Sequence, residues 1–280
     1  MDSCRVALIT GGSSGIGVAC VRRFLALGWA VSVVALPGPD LDSVEESGAL
    51  VTSGDLTFPE IRQKAVKRTI QRYGRIDVLI NNAGVGLYAP PTEISLPEFS
   101  RIFEINVIAP LALAQIVIPY MQDQGSGTIV TIGSVAGFVA LPWAAAYSAS
   151  KFALNAMHDS LRRELRGSPI RVIKICPGIV NTEFRNNALA GSAPHAVKRI
   201  RWVVSPEAVA ARVVRAVEQG SRIVYVPRIG RVFALMGAVA PSLMDFYLSR
   251  YFAENVLTAP PVMRGEEELA LSGTLGTADK

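Results

Sequence analysis

The chain is poor in the residues that hold metals and cross-links: 280 residues contain three cysteines and two histidines. Cys4, Cys20 and Cys176 are odd in number, far apart and in no C-x-x-C pair. That excludes a disulfide framework and a zinc-ribbon spacing, and it fits a reducing, cytoplasmic compartment. His158 and His195 have no acid or cysteine at ligand spacing, so no metal is expected; the first reads as a helix-face residue and the second as a loop residue. Runs of one charge are also missing. The net charge is +5, yet the longest basic cluster is Lys198-Arg199-Ile200-Arg201, without interleaved aromatics, so no nucleic-acid partner is expected. Long unbroken apolar runs are scarce too. The stretch 105–121 contains Pro110 and Pro119 and reads as a buried core helix, and 232–244 is shorter than a bilayer span. Met1 is followed within five residues by a strand-like run, which leaves no room for a signal peptide.

What is present is a regular alternation. Half of the residues are apolar and 18% are charged, as in a soluble protein with a sizeable core. Strand-like runs at 6–10, 30–35, 76–80, 128–132, 170–175 and 222–226 are separated by helical patterns at 15–27, 59–73, 96–121, 144–166 and 205–218. Ser205 and Pro206 open the last of these helices as cap and first-turn proline. Strands divided by helices in this rhythm are parallel, and they predict an α/β doubly wound sheet of Rossmann type. No linker interrupts it, so 1–256 reads as one dinucleotide-binding domain. Within it, 181–204 reads as a mobile substrate loop or lid, 229–256 as an apolar helical extension, and 257–280 as a frayed tail.

A glycine-rich turn, Thr10-Gly11-Gly12-Ser13-Ser14-Gly15-Ile16-Gly17, follows the first strand and opens the first helix. Glycines at 11, 15 and 17 let backbone amides approach a pyrophosphate at the positive helix end. The spacing is G-x-x-x-G-x-G rather than the commoner G-x-G-x-x-G, so the strand and helix context carries the reading. Further along, Tyr147 and Lys151 stand four residues apart in Tyr147-Ser148-Ala149-Ser150-Lys151. On a helix such a pair shares one face, and a cation near a phenol of ordinary pKa about 10 favours its ionised form. Y-x-x-x-K alone also arises by chance on any helix.

With the glycine turn, Asn81-Asn82-Ala83-Gly84, Ser134 placed 13 residues before Tyr147, and Pro177-Gly178 in this order, the chain resembles the short-chain dehydrogenase/reductase family over roughly residues 5–230. Hydroxysteroid and lipid-type members are the nearest in character. The resemblance implies a nicotinamide cofactor and hydride exchange between an alcohol and a carbonyl. It also implies that Tyr147 carries the proton, Lys151 holds the nicotinamide ribose and lowers the phenol pKa, Ser134 bonds the substrate oxygen, and Asn106 anchors a water linked to Lys151. Each role meets a physical need, because hydride arriving at a carbonyl leaves charge on oxygen unless a proton and a second donor meet it. Taken singly, Ser134 also suits a strand end and Asn106 a helix interior.

For the cofactor, the resemblance places Gly11, Ser13, Ser14, Gly15, Ile16 and Gly17 at the pyrophosphate and Asp55 and Leu56 at the adenine. Asn81 falls beside the adenine ribose with Asn82, Ala83 and Gly84 following, Tyr147 and Lys151 at the nicotinamide ribose, and Pro177, Gly178, Ile179, Val180 and Thr182 at the nicotinamide amide. At the end of the second strand an acid accepts the ribose hydroxyls of NAD and an arginine accommodates the phosphate of NADP. Leu36 and Pro37 stand there, and Asp40 and Asp42 follow. With no cation nearby the choice leans to NAD(H) over NADP(H), although Ser13 or Ser14 offers a phosphate a hydroxyl.

Loops beyond the strand ends carry Val85, Leu87, Tyr88, Val135, Phe138, Leu141, Trp143, Phe184 and Leu189, an apolar and aromatic set. It suits a steroid, retinoid, fatty-acyl or other hydrophobic alcohol or ketone better than a sugar. The apolar stretch 229–252 reads as a pocket cap, a subunit contact or a peripheral bilayer contact. The family implies a homodimer or homotetramer through the helices bearing Asn106 and Tyr147. The rival reading is a non-catalytic Rossmann protein that senses cofactor or scaffolds a partner, which need not keep Asn106, Ser134, Tyr147 and Lys151 together.

Overall fold

Strand β1 (Val6–Thr10) is buried at every position, and so is nearly all of β2 (Ala30–Ala35), which is what a strand covered on both faces requires. Between them runs α1 (Gly15–Ala26), so β1 and β2 pair in parallel with Val6 opposite Ala30 and Thr10 opposite Val34. This computed structural model describes residues 4–191 and 203–256, with side chains to 252. The alternation continues through α2 (Pro39–Glu46), β3 (Leu50–Ser53), α3 (Pro59–Tyr73), β4 (Val78–Asn81), α4 (Leu96–Phe103), α5 (Ala109–Asp123), β5 (Gly127–Ile132), α6 (Ala145–Glu164) and β6 (Ile170–Pro177). Then come β7 (Ile179–Val180), β8 (Val203–Val204), α7 (Pro206–Gln219), β9 (Ile223–Val226), α8 (Gly230–Val239) and α9 (Pro241–Val256).

Seven parallel strands form one sheet in the order β3-β2-β1-β4-β5-β6-β9, the doubly wound architecture expected. One core lies under α1, α2 and α7, built on Phe24, Val33, Ile80 and Val213; the other lies under α3 and α5, built on Leu8, Val66, Leu79, Leu113 and Ile129. The chain leaves β1 towards β2 on one side and returns at β4 on the other. The carboxyl ends of β1 and β4 therefore border a crevice, where such sheets take their ligands.

Three differences from the sequence reading have local causes. The short β3 and α2 were not expected as elements, being only four and eight residues long. The helix expected over 96–121 is broken in the middle by a π-turn, Glu104–Ile108. Pro110 has no N–H to give the carbonyl of Asn106 four residues back, so the ladder widens there. The apolar stretch expected as one helical extension is two helices bent by 119° at Ala240-Pro241. The helix 96–123 is long and apolar enough to cross a membrane. Here Ile102, Asn106, Leu113, Val117 and Met121 bury one of its sides in the protein.

At α7 the Ser205 hydroxyl accepts the amide of Ala208 at 3.2 Å, the cap read from sequence. Of the expected loop 181–204, residues 181–191 are laced to the loop after β4: Leu189 N donates to Gly86 O at 2.8 Å and Tyr88 N to Ala190 O at 3.0 Å. Residues 192–202, with His195 and the basic cluster at 198–201, and the tail 257–280 lie outside the described residues.

Candidate active site

The glycine turn is built for close approach. A Cβ at position 17 would stand 2.0 Å from Gly11 O, and one at position 11 would stand 2.9 Å from Ala83 Cα. Gly11 and Gly15 have φ of 62° and 51°, the left-handed region that other residues avoid. Ser14 stands at the N-cap of α1 without a side-chain cap hydrogen bond, and the first turn has no acidic residue. The helix start therefore keeps its amides and its positive end for an anion. Thr182 faces Gly15, with Cγ2 3.1 Å from where a Cβ would be. This cradle fits a dinucleotide.

Asn82 staples the turn to β4. Its Nδ2 donates to Thr10 O at 2.9 Å and Gly11 O at 3.1 Å, while Thr10 Oγ1 accepts from both Asn82 N and Ala83 N at 2.9 Å. Thr10 was not among the expected site residues; its only sequence signal is a hydroxyl at the last strand position before the glycines. Asn81 turns away, donating from Nδ2 to Pro110 O at 3.3 Å. Leu36 is 61% exposed at the end of β2, and Asp40 and Asp42 occupy the first turn of α2. Asp55 lies beyond β3 with its carboxylate already engaged. Thr57 N and Oγ1 each donate to Oδ1 at 2.9 Å, and Arg101 pairs with Oδ2. Partial burial works against the charge, but these donors hold its carboxyl below the usual range. Leu56 beside it is buried.

Tyr147 and Lys151 stand one turn apart on α6, the lysine buried and the tyrosine partly buried, with the Lys151 nitrogen 5.8 Å from the centre of the Tyr147 ring. Lys151 Nζ donates to Ile132 O at the end of β5 across 3.2 Å. Burial brings its pKa down to about 8, with Cys176 opposing. Burial also raises the Tyr147 phenol well above its ordinary value; the hydrogen bond to Ser134 pulls the other way and nearby Tyr88 adds to the rise. In the cofactor-free chain desolvation is the largest influence on the phenol. Ser134 Oγ accepts from Ala136 N at 3.1 Å and is also hydrogen-bonded to the Tyr147 hydroxyl.

Asn106, wholly buried in the π-turn, accepts from Val85 N at 2.9 Å and donates to Val85 O and to Ser150 Oγ, each at 3.0 Å. Ser150 was not expected at the site; it lies inside the Tyr147 to Lys151 turn. Gly84 sits between the two, since a Cβ there would be 3.1 Å from Asn106 Oδ1 and 3.6 Å from Lys151 Nζ. Pro177 ends β6, Gly178 N donates to Val226 O at 2.8 Å, and Ile179-Val180 pair with Val203-Val204.

The apolar loop residues divide. Val85, Leu87 and Leu189 share one apolar cluster with Tyr147, and the Phe184 ring stands 5.7 Å from the Tyr147 ring. Leu141 and Trp143 instead join the cluster beneath α8 and α9, and Phe138 packs on Tyr225. Trp143, at φ 65°, is the one non-glycine residue with positive φ among those described. His158 lies on α6 as expected of a helix-face residue, but on the buried face. Neither ring nitrogen has a hydrogen-bond partner. Among the described residues no group of three or more His, Cys, Asp or Glu is placed to hold a metal ion.

Residues 5–192 match the family model for short chain dehydrogenase. Dehydrogenase/reductase SDR family member 7B of Danio rerio is 35% identical over 199 residues, 67% of this chain and 64% of that protein. The corresponding member 7 of Homo sapiens is 34% identical over 197 residues, 66% of this chain and 58% of that protein. The match thus spans about three fifths of these relatives' length. A family protein 7-like of Anopheles gambiae is 30% identical over 267 residues, 90% of this chain and 84% of that protein. A short-chain dehydrogenase structure from Streptomyces avermitilis superposes with a TM-score of 0.76 at 26% identity, covering 90% of this chain and 98% of that one. A short chain dehydrogenase/reductase from Burkholderia phymatum in complex with NAD shares the fold, with a TM-score of 0.75 at 23% identity over 88% and 95% of the two chains. By the family model and by these relatives, the chain belongs to the short-chain dehydrogenase family.

Proposed function

We propose that the chain is an oxidoreductase that exchanges a hydride between a nicotinamide cofactor and a hydrophobic secondary alcohol or ketone. One observation carries the reading: the Tyr147 hydroxyl is hydrogen-bonded to Ser134, with Lys151 a turn away, beside an apolar cluster. When bound, the dinucleotide supplies or receives the hydride. The amides of Ser13 to Gly17 bind its pyrophosphate, Gly11 allows the approach, and Asn82, Ala83 and Gly84 form the wall beside it. Leu36 lies at the adenine ribose and Asp55 and Leu56 at the adenine, with Arg101 orienting the carboxylate. Pro177, Gly178, Val180 and Thr182 flank the nicotinamide.

In reduction Tyr147 gives its proton to the carbonyl oxygen as charge develops there, and Ser134 donates a second hydrogen bond. Burial keeps the phenol protonated at neutral pH, which suits the donor role. Lys151, held by Ile132 O, binds the nicotinamide ribose as an ammonium. Asn106 and Ser150 fix the turn that carries Lys151. Val85, Leu87, Tyr88, Phe184 and Leu189 exclude water and select an apolar steroid-, retinoid- or fatty-acyl-like substrate. The Danio and human relatives' dehydrogenase/reductase names support the chemistry, and the complete Tyr147, Lys151, Ser134 and Asn106 set disfavours a mere cofactor sensor or scaffold.

NAD(H) is the proposed cofactor, because Leu36-Pro37 offers no cation and Asp40 and Asp42 would repel a 2′-phosphate. Exposed apolar residues on α5 and α6, including Tyr120 and Phe152, support a homodimer or homotetramer, and three free thiols support a reducing compartment. The test is a panel of apolar ketones run separately with NADH and NADPH, and of the matching alcohols with NAD+ and NADP+. Turnover with NADH that vanishes in Tyr147→Phe supports the reading; cofactor binding without turnover across the panel would sink it.

A further inference from the structure

Helices α8 and α9 have one satisfied side and one bare side. Phe233, Met236, Met244, Leu248 and Phe252 pack on Val139, Leu141 and Trp143, so the pair is seated on the loop leading from Ser134 to Tyr147. The other side presents Val232, Leu235, Val239, Leu243, Phe246 and Tyr247, between 49% and 71% exposed. Val239, Pro241, Ser242 and Leu243 at the bend are all exposed, so the corner protrudes. From 232 to 244 there is no charged residue. Arg228, Arg231 and Arg250, all exposed, flank the patch in sequence, and between 228 and 252 the one acid is Asp245.

We propose that this helical corner docks on an anionic lipid surface. The apolar side chains enter the acyl boundary while the three arginines meet lipid phosphates. At 1.5 Å per residue the 10 residues of α8 are about 15 Å long, half a hydrocarbon core, so the pair lies in the interface rather than spanning it. The rim decides between occupants. A two-fold contact with a second copy sets one net-positive patch against another, whereas anionic lipid neutralises it.

The test floats the full chain with vesicles of phosphatidylcholine alone and of phosphatidylcholine with about a third phosphatidylserine, at ~0.15 M salt. The expected result is capture by the anionic vesicles and about fivefold weaker binding for each arginine removed, as in Arg231→Gln and Arg250→Gln. Leu235→Glu with Phe246→Glu, both on the exposed side, should lower binding by at least about tenfold. Circular dichroism melting checks that the fold persists. The proposal is overturned if the native chain stays with neither vesicle, if the double variant floats like the native chain, or if arginine removal changes nothing. It also falls if the native chain is an oligomer that the double variant dissociates. Binding is read without turnover, so the result stands apart from the proposed reaction.

Discussion

Lys151 Nζ reaches the carbonyl of Ile132 across 3.2 Å, tying the middle of α6 to the end of β5 and drawing an ammonium out of water. That burial brings the lysine down to about 8. A lysine whose folded pKa lies below its unfolded value binds fewer protons folded than unfolded between about 8 and 10.4, so its penalty is full below pH 8 and fades above. Lys151→Met should therefore raise the stability of the cofactor-free chain at pH 7 by about 1–3 kcal/mol, an advantage that disappears near pH 10.4. Turnover should fall in the same variant. Urea melts at pH 7 and 10.4 check the first half; a variant less stable at pH 7 refutes the burial argument.

Tyr147→Phe removes the hydroxyl and leaves the ring on Phe184. Turnover should drop about 10²–10⁴-fold, the range for a lost proton donor. Cofactor affinity by fluorescence quenching should stay within about threefold, less than 1 kcal/mol. Equal losses in both would assign Tyr147 to binding instead of proton transfer.

His158 gives a second pH dependence. Burial, then Lys174, Arg162 and Arg222, lower its pKa to about 3, with Asp159 opposing. Between about pH 6.5 and 3 the unfolded chain binds a proton that the folded chain refuses, so stability falls as the pH falls, at about 1.4 kcal/mol per unit at most. His158→Leu should flatten this part of the stability curve. Denaturant midpoints of both proteins at pH 7, 6, 5 and 4 give the comparison, and parallel curves would place the acid sensitivity elsewhere.

Much of the sheet was legible because its strands are short β-rich runs between long periodic helices, and the cap at Ser205 was legible from Ser-Pro alone. Strand β3 was not, because four residues between turn signals carry too little pattern. At the site, spacing pairs Tyr147 with Lys151 on one helix face, and the family resemblance adds Ser134 and Asn106. They do not reveal what covers the phenol, and in the cofactor-free chain burial is the largest influence on it. Thr10 and Ser150 were overlooked because hydroxyls gain meaning only through partners from distant segments, Asn82 at one and Asn106 at the other. The pairing of Asp55 with Arg101 was not legible, because the two lie 46 residues apart.

Asn106 provides the last prediction. Its amide is wholly buried and satisfies both Val85 N and Val85 O while donating to Ser150. Ser150→Ala removes one of these partners and should cost about 1–3 kcal/mol, with Val85 still held. Asn106→Leu strands the Val85 N–H and C=O in a dry interior, a larger loss, and frees the loop that carries Gly84 past Lys151. It should therefore lower kcat and loosen cofactor binding, whereas Ser150→Ala should keep most of the cofactor affinity. Thermal melts with steady-state kinetics on both variants separate the two effects; if the two variants lose stability and activity alike, Ser150 rather than Val85 is the partner that matters.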